Sequence, residues 1–117
     1  MAIEYYQGYL ETFNLSTGFT LDEYCFLEIG ERYIIIRLEN HCLNRWELFR
    51  GDEVGRGHFP MRSLTPGVTT TGTLHRAPGY DELEGHIEFD DTPCLIRIEL
   101  MKRLKRLWDL TPNEEQT

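Results

Sequence analysis

"LEGHIEFDDTPCLIRIEL", residues Leu83 to Leu100, decides the fold class. Its apolar residues recur with period 2 on both sides of the cluster Asp90-Asp91-Thr92-Pro93, which is how two half-buried strands joined by a turn read. Folding the stretch at that cluster sets Phe89 opposite Cys94, Ile87 opposite Ile96 and Leu83 opposite Leu100 on one face. The other face then carries Glu84, His86, Glu88, Leu95, Arg97 and Glu99. Both strands select the same inward face, so the stretch predicts an antiparallel hairpin with self-consistent facing.

Working outward, "YCFLEIGERYIIIRL" (Tyr24 to Leu38) reads as a second hairpin. Gly30-Glu31 suits a two-residue type II′ turn, which pairs Leu27 with Ile34 and Cys25 with Ile36. Phe26 and Ile35 fall on the opposite face, so this pair is covered on both sides or meets a partner, a helix or a ligand. Further strands are expected near Ile3 to Thr12, Trp46 to Phe49 and Val68 to Leu74, where the mid-strand Gly72 marks a bulge or bend.

The C-terminal stretch "ELMKRLKRLWDL" (Glu99 to Leu110) changes period. Leu100, Leu104 and Leu107 stand at i, i+4 and i+7 beside Met101 and Trp108, with Lys102, Arg103, Lys105 and Arg106 on the remaining arc. That predicts an amphipathic helix near 100–110, ended by Pro112. The expected fold is therefore mainly β: a six- or seven-stranded antiparallel barrel or two-sheet sandwich with one C-terminal amphipathic helix. In element order it resembles the general plan of pleckstrin-homology-type folds, and small lipocalin-like barrels fit the same order. Such a likeness implies no function. Residues 1–111 are expected to form one domain and 112–117 a polar tail.

Charge and cysteine usage bound the function. The net charge of -8 repels phosphate over most of the surface, so a general nucleic-acid binder is not expected. A protein that imitates nucleic acid would need its acidic density on one face. No stretch approaches the roughly 20 apolar residues of a membrane span, and "MAIEYYQGYL" lacks the basic start of a secretory signal. Cys25, Cys42 and Cys94 are odd in number and form no CxxC pair, which argues against a disulfide framework or structural zinc and for a reducing cytoplasm. His41, His58, His75 and His86 lack metal-ligand spacing, so neither a metal nor another cofactor is expected. His41 and Cys42 are adjacent, and on an extended chain they point to opposite faces, a poor nucleophile and base. The pairs Asp22-Glu23, Asp52-Glu53, Asp81-Glu82 and Asp90-Asp91 are expected at turns, where Asp bonds the local backbone. Acid–base catalysis would need one of them buried. No enzyme is expected.

One stretch stands out: "RGDEVGRGHFPMRSLTPG", Arg50 to Gly67, is expected to be a loop of about eighteen residues, longer than most connections in compact domains. Arg50, Arg56 and Arg62 recur along it around His58, with Phe59 as an apolar anchor, and arginine forks suit carboxylates. Together with Lys102, Arg103 and Arg106 of the helix, these residues make the expected surface of a non-enzymatic protein-interaction module: an adaptor, assembly factor or inhibitor of a larger protein partner. The bland alternative is that the arginines neutralise the protein's own acids. A different class of function is a small-ligand-binding barrel whose pocket is lined by Tyr5, Tyr9, Tyr24 and Tyr33.

Overall fold

Eight antiparallel strands follow one another around a closed barrel, each bonded to its neighbours in sequence and the last to the first. They are β1 (Glu4–Asn14), β2 (Thr20–Ile29), β3 (Tyr33–Asn40), β4 (Arg45–Asp52), β5 (His58–Ser63), β6 (Thr71–Arg76), β7 (Glu82–Phe89) and β8 (Thr92–Leu104). This computed structural model describes residues 3–40, 45–67, 70–77, 81–89 and 91–105. Among the described residues there is no helix, and hence none long and apolar enough to cross a membrane. The six or seven strands expected from sequence become eight, closed into a barrel rather than stacked as a sandwich.

The facing of the Leu83–Leu100 hairpin is as expected, and its pairing is not. Leu83, Ile87, Cys94, Ile96, Ile98 and Leu100 are all buried. Yet Ile87 faces Cys94, Leu83 faces Ile98, and the strands close on Phe89 and Thr92. Asp91 takes the left-handed conformation there, with φ 67°, which aspartate tolerates better than most residues. Thr92 and Pro93 are thus released from the turn into β8. The shift is by two residues, so every side chain keeps its face.

The β2–β3 hairpin shifts in the same way. Ile29 faces Ile34 and Leu27 faces Ile36. The Gly30 amide donates to the Tyr33 carbonyl at 3.0 Å, which makes Glu31-Arg32 the turn pair instead of Gly30-Glu31. A Cβ at position 30 would meet the Tyr33 ring, which would have to move aside.

Two expectations about elements are overturned. Residues 50–67 are not one long loop: β4 runs to Asp52 and β5 occupies His58–Ser63, with a turn between them. In that turn the Gly57 amide donates to Glu53 Oε2 at 2.7 Å and the Arg76 amide donates to the Gly57 carbonyl at 2.7 Å. The second correction concerns the C-terminal stretch, which is strand and not helix as far as Leu104. β1 offers β8 a long edge, from Asn14 facing Cys94 to Tyr5 facing Leu104. A β-bulge absorbs one residue of β8, since Gly8 faces Leu100 while Gln7 faces Lys102. Arg106, Leu107, Trp108 and the tail 112–117 lie outside the described residues.

The core lies on the barrel axis, around Leu10, Leu27, Ile34, Ile36, Phe49, Leu74 and Ile98. At Gly8 a Cβ would come within 2.8 Å of Leu27 Cδ1 and Ile98 Cγ2, so the bare backbone there lets side chains from β2 and β8 meet. Gly72 and Gly85 play a different part: a Cβ on either would collide with backbone of the facing strand, at His86 and Thr73 respectively. The mid-strand Gly72 therefore marks a close approach of β6 and β7.

Candidate functional site

Strand direction gives the barrel two ends. The upper end carries the β1–β2 hairpin and the β7–β8 turn; the lower end carries the β2–β3 and β4–β5 turns, the start of β1 and the end of β8. Inward positions on β1 and β2 are set by the ladder that pairs Tyr6 with Leu27, Gly8 with Cys25, Leu10 with Glu23 and Thr12 with Leu21. Toward the upper end the inward side chains become mixed, with Thr12 on β1 and Glu23 then Leu21 on β2. There the described residues line a cavity of about 220 Å³, walled by Leu10, Leu21, Leu38, Phe89 and Cys94, with Glu23 and Glu39 among its polar lining and Phe19 at its rim.

Glu47 of β4 faces Leu38, points inward and is 1% exposed. A carboxylate is rarely placed inside a barrel unless bonded, because desolvating it is costly. Thr70 is also buried, and its Oγ1 makes no hydrogen bond among the described residues. Cys94 lines the cavity, whereas Cys25 is sealed beneath it; burial raises the Cys25 thiol far above the ordinary range, the nearby Glu23 charge adding to the effect. Neither forms a disulfide. His41 and Cys42 lie outside the described residues.

The residues expected to bind a partner are dispersed. Arg50 points outward from β4, its guanidinium 4.4 Å from the centre of the Tyr33 ring, and Nη2 reaches Asp52 Oδ1 at 3.0 Å. Arg62 faces Arg50 across β4 and β5 and approaches the same carboxylate at 3.8 Å. Arg56 is exposed in the turn. The His58 ring stacks on His75 at 4.4 Å, and its Nε2 lies 2.6 Å from Thr73 Oγ1. Phe59 is buried in the core, so it is no surface anchor. Lys102 and Arg103 are exposed near the lower end of β8, where Arg103 pairs with Glu4 at 3.6 Å.

The four tyrosines expected to line a pocket lie on the outer face of the barrel. Tyr5, Tyr9 and Tyr24 alternate with the inward residues of β1 and β2, and none of them lines the cavity. Tyr9 and Tyr24 meet edge-on at 6.0 Å, and the Tyr9 hydroxyl donates to Asp22 at 3.0 Å. Two sets of residues assigned from sequence to different functions thus share the outer flank, where Arg50 stacks on Tyr33. What sequence reasoning missed was the cavity: Glu23 was expected at a turn, but β2 begins at Thr20 and turns that side chain inward. Among the described residues no group of three or more His, Cys, Asp or Glu is arranged to hold a metal.

The Tyr33 hydroxyl donates to Glu28 Oε2 at 2.5 Å, and this hydrogen bond is the main reason its pKa is pushed up to about 12. The raised value means that the bond's contribution to stability is complete below pH 10 and is lost as pH rises through about 12. Ultraviolet titration of Glu28→Gln is expected to bring one tyrosine back toward its ordinary range; an unchanged titration curve would show that burial sets the shift.

No family model matches the chain, and no curated protein matches it either.

Proposed function

We propose that the chain is a non-catalytic binding barrel of the cytoplasm that takes a compact apolar group of a small ligand into its upper-end cavity. The observation that carries this reading is a closed barrel with space at one mouth, walled by apolar side chains and lined also by the carboxylates of Glu23 and Glu39. Barrel mouths are a usual place for ligand sites, and such sites pair an apolar wall with a few polar groups. At about 220 Å³ the space is below the roughly 300–1,000 Å³ of drug-sized pockets, so it suits a ring or a short branched chain and not a long acyl chain. Glu23 favours a ligand bearing an ammonium or another hydrogen-bond donor. The Arg50–Arg62 surface supports the reading less, since Asp52 lies between both guanidinium groups.

Cys94 reports on the cavity directly. In a Cys42→Ser background, iodoacetamide is expected to alkylate Cys94 and spare Cys25. Phenethylamine at concentrations near a Kd of about 1 mM, equivalent to about -4 kcal/mol, is expected to slow that reaction, and Leu21→Trp to remove the protection by filling the space. Alkylation indifferent to a panel of aromatic and branched aliphatic amines would overturn the proposal.

A further inference from the structure

The barrel's outer surface is unevenly charged, and the ladders place its side chains in rows. Across β2, β1, β8 and β7, one row runs Thr20, Phe13, Leu95, His86. The next, toward the lower end, runs Asp22, Glu11, Arg97, Glu84, and below it come Tyr24, Tyr9, Glu99, Glu82. The first row is apolar at its centre, with Phe13 39% and Leu95 48% exposed. Leu15 and Phe19, 50% and 66% exposed, extend it around the β1–β2 hairpin, where the Leu15 amide donates to the Pro93 carbonyl. The two lower rows hold five carboxylates and one cation.

That cation is already committed. Arg97 donates to Glu11 Oε1 and to Glu82 Oε2, both at 2.6 Å, and Arg97 holds the Glu82 carboxyl below its ordinary range. Among the described residues no ion pair reaches Asp22, Glu84 or Glu99. Two surface troughs, of about 500 and 550 Å³, meet at Glu84, and Phe13 and Leu95 line the first of them. Lys102 and Arg103 lie beyond the bulge, toward the lower end.

We propose that this face docks a cationic amphipathic helix of a partner protein. An apolar row beside an acidic field is complementary to a helix with one apolar and one basic face. The dimensions agree: three rows two residues apart, at about 3.4 Å per residue, span roughly 14 Å, enough to seat the about 10–12 Å diameter of a helix. Four strands at about 4.8 Å spacing give it a run of roughly 14 Å, between two and three turns. Phe19 borders the cavity as well, but Phe13, Leu95 and the acidic rows lie outside it, and the proposal stands without the ligand reading.

The test uses an 18-residue peptide of leucine and lysine in helical period, with a leucine–glutamate peptide as control, titrated at 150 mM salt. The lysine peptide is expected to bind and the glutamate peptide not. Phe13→Ser/Leu95→Ser leaves the charge unchanged and is expected to weaken binding at least tenfold, as is Glu84→Gln/Glu99→Gln. Glu31→Gln/Glu53→Gln removes the same charge from the lower-end turns and is expected to change binding less than twofold. Equal weakening by the two charge-removing variants, or full binding by the serine variant, would reduce the effect to net-charge attraction and overturn the proposal. Sedimentation decides the remaining case: a dimer abolished by Phe13→Ser/Leu95→Ser would make the occupant a second copy of this chain, which also overturns it.

Discussion

Replacing Phe49 with alanine is expected to destabilise the barrel by about 3–5 kcal/mol, the range for truncating a buried phenylalanine. The ring is fully buried and meets Phe89 edge-on at 5.9 Å. Such aromatic pairs contribute about 0.5–1.5 kcal/mol beyond their buried area, which places this site toward the upper part of the range. Phe89 also walls the mouth cavity, so the void left by the lost ring opens toward an existing space. Domains of this size have about 5–15 kcal/mol in total, so the variant should sit close to the unfolding threshold. Urea denaturation checks it: the midpoint should fall sharply at an unchanged slope. A loss below about 1 kcal/mol would mean that the core repacks around the missing ring.

The second large effect is expected at Gly85, where alanine should cost about 3 kcal/mol or more. An added Cβ would run into the Thr73 carbonyl and lie 2.9 Å from Leu74 Cα, atoms of the facing strand and not flexible side-chain ends. Overpacking usually costs about 1–3 kcal/mol when side chains can yield, and backbone yields least. Gly18 provides the contrast. It has φ +76° and open space around it, so Gly18→Ala meets only the conformational penalty of about 1–2 kcal/mol. Thermal melts of the two variants should rank accordingly. Equal losses would show that β6 and β7 can separate at Gly85 without disturbing the barrel.

The legible part of the fold was what alternation encodes. Ile96, Ile98 and Leu100 declare an inward face whatever strand lies beside them, and a pairing error of two residues leaves that face intact. The pairing itself depended on which two residues turn, and the Asp90–Pro93 cluster permits more than one closure. The C-terminal misreading has a sharper cause. Leu100 and Leu104, four apart, share a face on a helix and on a regular strand alike, so local spacing does not separate the two, and only the bulge turns Leu104 to the outer face opposite Tyr5. The choice is made by β1, some ninety residues away in sequence. β5 was missed because His58–Ser63 is short and contains Pro60, leaving Phe59 and Met61 as the whole inward signal. The cavity could be found only once Glu23 was known to face inward; the arginines were legible as a surface, but not that Asp52 engages both Arg50 and Arg62.

The seam between β1 and β8 also has a consequence for the birth of the molecule. The strands from β2 to β7 have their ladder partners close by in sequence, whereas the second partner of β1 is not complete until residue 104 has been made. At roughly 5–20 residues per second, β1 waits for several seconds on the ribosome with one edge open. That edge runs through Tyr5, Tyr9 and Phe13, a template on which other nascent chains can pair. Closure is then a single late event that joins the two termini of the sheet and silences both edges together. Yield in the cell should accordingly be governed by how well that waiting strand is shielded during synthesis.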